Sequence, residues 1–150
     1  MKKGAIARRK VRRAFTLIEL VVVLAIMALL LMVVVPRVGA LYDRQLVEQQ
    51  ARLLEQELLW LRGEAQRCGE KTIFQREDSD SYSLSVNGAR EMRTLVSTRM
   101  TLSASSRGGR IIFEPRGTAY DKCTLTLRCG KQTRTVAVNN LGRVRVGVAG

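Results

Sequence analysis

The sequence contains no histidine. Histidine-based triads, imidazole-ligated zinc and histidine-ligated haem are therefore excluded, and with them the commonest routes to general-base and metal chemistry. Only three cysteines are present and none forms a Cys-x-x-Cys pair, so neither a metal centre nor thiol catalysis is expected. Acidic residues are scarce, 13 against 26 Lys and Arg, and they lie scattered among arginines with no nucleophile and base in recognisable order. With 150 residues the chain suffices for one modest domain. The reading is of a protein that is not an enzyme and needs no cofactor.

Polar side chains are missing altogether from residues 20 to 35, although the mean hydropathy of the whole chain is −0.03. The average hides two regions, and a uniform soluble globule is excluded. The formal charge of +13 is as uneven. Lys2, Lys3, Arg8, Arg9, Lys10, Arg12 and Arg13 all precede residue 15, leaving +6 for the rest. A basic stretch followed directly by an apolar run has the form of an export signal, and positive flanks stay on the cytoplasmic side. Residues 15–35 carry one charge, and as a helix they reach about 30 Å, the thickness of a bilayer core. No Ala-x-Ala cleavage site follows Val35, so the segment is expected to stay as a single-pass anchor, N-terminus cytoplasmic and C-terminal region outside.

Within that anchor stands Glu19. A carboxylate in a membrane helix costs about 2.5–3.5 kcal/mol on insertion scales, so it calls for a partner or a role. The run Arg13-Ala14-Phe15-Thr16-Leu17-Ile18-Glu19 resembles the cleavage site of type IV prepilins and pseudopilins: a basic leader, a small residue, then Phe-Thr-Leu-Ile-Glu opening an apolar helix. The resemblance implies that a prepilin peptidase cuts between Ala14 and Phe15 and methylates the new amino group of Phe15. It implies too that Glu19 neutralises the amino terminus of a neighbouring subunit in a fibre. Pro36 resembles the helix-kinking proline of many pilins, and it lacks the N–H that would continue the ladder. The family usually has glycine before the cut. Ala14 is the smallest residue with a Cβ, so processing is expected to persist, more slowly.

After Pro36 the helical period continues to about residue 68. Val47, Ala51, Leu54, Leu58, Leu61, Ala65 and Cys68 recur at spacings of three and four, with Arg44, Glu48, Arg52, Glu55, Arg62 and Arg67 off that line. Such a stripe serves as a coiled-coil seam or as a core-facing surface, and the strand-like sequence that follows favours the second. From residue 71 the period changes to two. Tyr82, Leu84 and Val86 precede Asn87-Gly88, a strong hairpin pair. Met100, Leu102 and Ala104 then alternate, with Arg107-Gly108-Gly109 as a hairpin loop into Arg110–Phe113. Cys123, Leu125, Leu127 and Cys129 share one strand face, Gly130-Lys131 turns into Thr135–Val138, and Val144, Val146 and Val148 alternate with Arg143 and Arg145. The expected fold is α+β: a long N-terminal helix, half in the membrane and half amphipathic, packed on an antiparallel sheet of about six strands. The expected divisions are 1–14 as leader, 15–36 as transmembrane and assembly helix, and 37–150 as the exported domain.

Arg110–Thr118 and Val138–Val146 resemble two recurring stretches of the GspH/FimT branch of pseudopilins, which includes type II secretion H-type subunits, FimT minor pilins and ComGD-like competence proteins. In DNA-binding members of that group a Gly-Arg-x-Arg element contacts DNA, and Gly142-Arg143-Val144-Arg145 occupies the matching place. On a strand Arg143 and Arg145 share one face about 6.5–7 Å apart, close to the phosphate spacing along one DNA strand. Arg107, Arg110, Arg116, Arg128 and Arg134 are candidates to widen the patch. The alternative use of these arginines is to protect a strand edge from aggregation.

Cys123 and Cys129 lie about 20 Å apart on one extended strand, too far to bridge each other. The two remaining options are a disulfide from Cys68 to either of them, in an export compartment that permits it, or three buried thiols. The resemblance implies a minor pilin or pseudopilin of a type IV pilus-like fibre, expected to serve DNA uptake in competence, with an H-type pseudopilin of type II secretion as the alternative. Its implied partners are other pilins, the prepilin peptidase, an inner-membrane assembly platform, the membrane and DNA. A stand-alone membrane-anchored nucleic-acid-binding module is the reading from a different class.

Overall fold

The computed structural model describes residues 16–148, the side chains of residues 33–38 and of Arg107 excepted. The chain divides after Arg37 into two compact units, Met1–Arg37 and Val38–Gly150. One α-helix, α1 (Leu17–Cys68), begins in the first unit and ends in the second. Its start is fixed by Thr16, whose hydroxyl accepts the Glu19 N–H at 3.3 Å while its carbonyl accepts the Leu20 N–H at 3.2 Å. The threonine hydroxyl thereby satisfies one of the amides that a helix start leaves unpaired, and its carbonyl accepts the first intrahelical bond. From Leu17 to Met32 every side chain is exposed. Helical conformation continues through Pro36, where the bond to the Met32 carbonyl is necessarily missing. Among the described residues no helix is long and apolar enough to cross a membrane. The expected span, residues 15–35, lies in part outside the described residues: Phe15 altogether, and residues 33–35 in their side chains.

In the second unit the apolar stripe packs as its spacing dictates. Val47, Ala51, Leu54, Leu58, Leu61 and Ala65 are all at most 1% exposed, and the stripe fades at the half-buried Cys68. Each buried leucine contributes about 1.5–3 kcal/mol of transfer free energy. Eight strands follow this helix among the described residues: β1 (Thr72–Arg76), β2 (Ser81–Val86), β3 (Ala89–Thr94), β4 (Met100–Ala104), β5 (Arg110–Phe113), β6 (Cys123–Cys129), β7 (Gln132–Val138) and β8 (Val144–Gly147). They form two antiparallel four-stranded sheets, ordered β3-β2-β1-β5 and β4-β6-β7-β8. The first sheet contributes Phe74, Tyr82, Leu84, Ile111 and Phe113 to the core; the second contributes Met100, Leu102, Leu125, Leu127, Val136 and Val138. The buried hydrophobic cluster runs from Leu46 to Val138 and lies wholly within this unit, which therefore holds its own core.

Two expectations change. The single sheet is two sheets, because β5 pairs with β1 and β4 pairs with β6. Arg107-Gly108-Gly109 is accordingly not a hairpin loop but a short 3₁₀ crossover from one sheet to the other, with positive φ at both glycines. Of the two options open for the cysteines, this structure holds three free thiols, Cys68 half-buried and Cys123 and Cys129 buried. Cys68 lies beside Glu64 and Asn87, Cys123 donates to the Ser106 hydroxyl, and Cys129 donates to Asp43 at 3.6 Å.

Side-chain contacts tie the helix to the strands and to the loop between β3 and β4. Thr72 donates to the Leu61 carbonyl at 2.9 Å, and Gln50, fully buried, accepts the Val96 N–H at 3.1 Å. Arg134 on β7 donates to Glu48 at 2.7 Å, a pairing that holds the Glu48 carboxyl below its ordinary pKa. The Tyr82 hydroxyl donates to Glu57 at 2.6 Å. Burial there pushes the Glu57 carboxyl up in spite of the tyrosine hydrogen bond and nearby Arg93, and burial together with Glu57 pushes the tyrosine up as well.

Candidate functional site

The first candidate site is the helix start. Ala14 and Phe15, the expected cleavage and methylation positions, lie outside the described residues. Thr16 and Glu19 are described, and their spacing is that of a helix-capping pair, threonine at the cap and glutamate three residues on. A carboxylate in the first turn also complements the positive end of the helix dipole. Glu19 is exposed, so its charge is open to a second group.

The second lies on the outer face of the second sheet. Two tight turns lie beside it, Glu114–Gly117 and Asn139–Gly142, of which the second lends Asn139 to its lining. In the first, Gly117 N–H donates to Glu114 O at 2.8 Å and Glu114 N–H to Thr118 O at 2.9 Å. The second repeats the pattern, Gly142 N–H to Asn139 O at 2.8 Å and Asn139 N–H to Arg143 O at 3.1 Å. Each closes on a left-handed glycine, φ 79° at Gly117 and 70° at Gly142, which is the arrangement of a three-residue hairpin loop with a glycine bulge. The second turn joins β7 to β8, and the Asn139 side chain accepts the Arg143 N–H at 2.9 Å. Arg143 therefore leaves a backbone fixed at three points just before β8 starts.

From there the pleat places the side chains. Thr124, Ala137 and Arg145 are direct cross-strand neighbours on β6, β7 and β8. The small Ala137 in the middle lowers the floor between its neighbours. The result is an open groove of about 410 Å³ lined by Lys122, Thr124, Ala137, Asn139, Arg143 and Arg145, with Val138 behind. A second hollow of about 430 Å³, lined by Ser106, Asp121, Lys122 and Asn140, shares Lys122 with it. Arg143 and Arg145 are exposed, and among the described residues no carboxylate lies within ion-pairing distance of Lys122, Arg143 or Arg145. Lys122, Arg143 and Arg145 thus stand without an ion-pair partner beside the Thr124 hydroxyl and the Asn139 amide, with Asp121 in the adjoining hollow.

The other candidate arginines disperse. Arg134 is spent on Glu48, with its side chain 15% exposed. Arg110 lines a separate hollow on the first sheet with Gln75, Glu77, Ser83 and Arg90, where Arg90 and Ser83 both hydrogen-bond Glu77 and keep its carboxyl below the ordinary range. Arg128 folds back onto the Gly130 carbonyl, and Arg116 is exposed in the first turn. The side chain of Arg107 lies outside the described residues. Lys122 was not among the sequence candidates, although strand parity could have found it: it precedes Thr124 by two residues and so shares its face. No group of His, Cys, Asp and Glu suited to a metal ion occurs among the described residues.

A family profile for the prokaryotic N-terminal methylation motif matches residues 9–35. No curated protein sequence matches the chain significantly. Among solved structures, the type IV minor pilin FimU of Pseudomonas aeruginosa is similar, with a TM-score of 0.59, 19% identity, and 70% of this chain and 90% of that chain covered. The minor pseudopilin EpsH from the type II secretion system of Vibrio cholerae is similar at a TM-score of 0.59, with 15% identity and 71% and 96% covered. The chain thus carries a prepilin-type methylation motif at its N-terminus and a pilin-like fold, a helix packed on antiparallel sheets, shared with a minor pilin and a minor pseudopilin.

Proposed function

We propose that this chain is a minor pilin or pseudopilin, a non-catalytic subunit of a type IV pilus-like fibre. The observation that carries the reading is the methylation motif over residues 9–35 in front of a pilin-like fold. In this reading a prepilin peptidase removes residues 1–14 by cutting between Ala14 and Phe15 and methylates the Phe15 amine. Residues 15–36 cross the membrane with Pro36 as the kink point, and the domain stands outside. The inner-membrane assembly platform inserts the chain among other pilins, with Glu19 facing a neighbour's amino terminus.

Co-expression with a prepilin peptidase is expected to remove about 1.6 kDa and leave a methylated Phe15. Intact mass spectrometry reads this directly. A full-length chain, or one cut after residue 35, overturns the reading.

Within that role we favour DNA uptake over protein secretion. What supports it is the groove of Lys122, Arg143 and Arg145 with no paired carboxylate. The likeness to EpsH supports an H-type pseudopilin of type II secretion equally well at the level of the fold. Binding of a random duplex to the Val38–Gly150 unit separates the two. That unit keeps a net charge of +6, so weak binding follows from charge alone and variants of equal charge must be compared. Arg143→Gln with Arg145→Gln is expected to weaken binding and to lower the log–log salt slope by up to about two. Arg44→Gln with Arg52→Gln removes the same charge from the helix and is expected to do much less. Equal losses in both pairs reduce the groove to part of a diffuse basic field, and the secretion reading then moves ahead.

A further inference from the structure

Arg62 lies off the apolar stripe of α1, where a solvated arginine is expected. Instead it is half-buried and its Nε donates to the Gly117 carbonyl at 2.9 Å, 55 residues along the chain. That same carbonyl blocks the second turn: a Cβ on Gly142 would fall well inside van der Waals distance of Gly117 O and 3.1 Å from Arg62 Nε. A Cβ on Gly117 would strike the Gln66 side chain and come within 3.3 Å of Arg62 Nε. Helix guanidinium, Gly117 carbonyl and Gly142 Cα are therefore stacked with no room for a side chain. The Ala119 N–H, donating to Asn140 O at 3.0 Å, ties the same two turns a second time. The turns form one block, and Arg62 is a hydrogen-bonded link from that block to the helix.

We propose that Arg62 is the positioning residue of the Arg143–Arg145 element, locking the Asn139–Gly142 turn against α1 so that both arginines are presented in one fixed register to a phosphate backbone. This rests on the reading of Arg143 and Arg145 as DNA contacts. Gly142 immediately precedes Arg143, so whatever fixes Gly142 fixes the origin of the Arg143 side chain. Only a guanidinium places a donor at the Nε position; lysine keeps the charge but carries its donors at the end of a flexible stem. Preorganisation of this kind raises affinity by reducing what must be ordered on binding.

The test is Arg62→Lys in the Val38–Gly150 unit, whose core is self-contained. The charge is unchanged, so loss of affinity cannot come from the basic field. Binding of a random duplex is expected to weaken about three- to tenfold, with the salt slope reduced by about one as the Arg143 contact is lost. Amide hydrogen exchange at Gly142 and Arg143 is expected to speed up while the core strands stay protected. In the Arg143→Gln, Arg145→Gln background the same substitution is expected to change affinity no further. Wild-type affinity and slope in Arg62→Lys, beside weakened binding in the arginine pair, overturn the proposal, as does a fully additive loss. Exchange that rises throughout the core strands overturns it too, since Arg62 is then a general structural residue. If the arginine pair itself binds DNA like wild type, the DNA reading fails. Exchange then decides alone: faster at Gly142 and Arg143 keeps Arg62 as the anchor of the turn, unchanged removes it.

Discussion

Gly142 and Gly88 have nearly the same backbone, φ 70° and 78°, and very different surroundings. A Cβ at Gly88 meets nothing within 4 Å, whereas one at Gly142 meets the Gly117 carbonyl. Gly88→Ala is expected to cost about 1 kcal/mol, the left-handed strain alone, and Gly142→Ala about 2–4 kcal/mol, strain plus overpacking. Denaturant titration of both variants measures the difference, and equal costs would show that the two turns are not in contact. Sequence reading reached these residues unevenly. Asn87-Gly88 announces its hairpin because both residues tolerate positive φ, and that is a local matter. The tight packing of Gly142 on Gly117 depends on a meeting of segments 25 residues apart, which no local pattern encodes. The cysteines show the same limit. Compartment chemistry allowed a bridge from Cys68, but reach is a property of the tertiary fold, and in it Cys123 and Cys129 find Ser106 and Asp43 instead.

At the scale of elements, the helix and its buried face were legible almost to the residue, since a 3.6-residue period is written in consecutive positions. Strand existence was legible wherever alternation was strong, as in β6, but partnership was not. β1 was missed because only Thr72 and Phe74 of its five residues are buried, and its neighbours β2 and β5 lie on either side of it in the sheet while both follow it in sequence. The same non-local pairing split one expected sheet into two. Where α1 meets the first sheet, Glu57 carries the energetic tension: burial favours its neutral form, and Tyr82 and Arg93 offset this only in part. A carboxyl whose pKa is raised on folding makes the native state less stable as pH rises through that folded value, and the penalty is absent at pH low enough to protonate it in both states. Glu57→Gln keeps an oxygen to accept the Tyr82 hydroxyl and carries no charge. Thermal melts are expected to coincide near pH 4 and to favour the variant by about 1–3 °C at pH 7. A variant less stable than wild type at pH 7 would mean that the Arg93 pairing outweighs burial.

For the whole molecule, the charge distribution and the helix start belong together. Seven cations precede residue 15 and a lone carboxylate stands at Glu19, at the head of sixteen residues without polar side chains. Once the leader is removed, as proposed, the chain begins with a methylated amine at Phe15, four residues from that carboxylate. Thr16 already satisfies the Glu19 N–H, and the carboxylate itself is exposed. An exposed carboxylate at the head of an apolar helix is costly in a bilayer unless a cation meets it, and in the proposed fibre the cation is the amino terminus of the adjacent subunit. Two effects of Glu19→Ala then follow in opposite directions. Membrane integration is expected to be undiminished, because an insertion cost of about 2.5–3.5 kcal/mol is relieved. Incorporation into the fibre is expected to fall severalfold, because the neighbour's amine loses its counter-charge in a low-dielectric setting. Alkaline extraction of membranes measures the first, and co-purification with the other pilins the second. Glu19→Gln separates charge from capping: Gln can take the same helix-start position, so a Gln variant that is lost from the fibre as fully as the Ala variant assigns the effect to charge. Unchanged co-purification in both variants would leave Glu19 as part of a helix cap on a simple anchor, and the assembly role would have to be sought elsewhere on the chain.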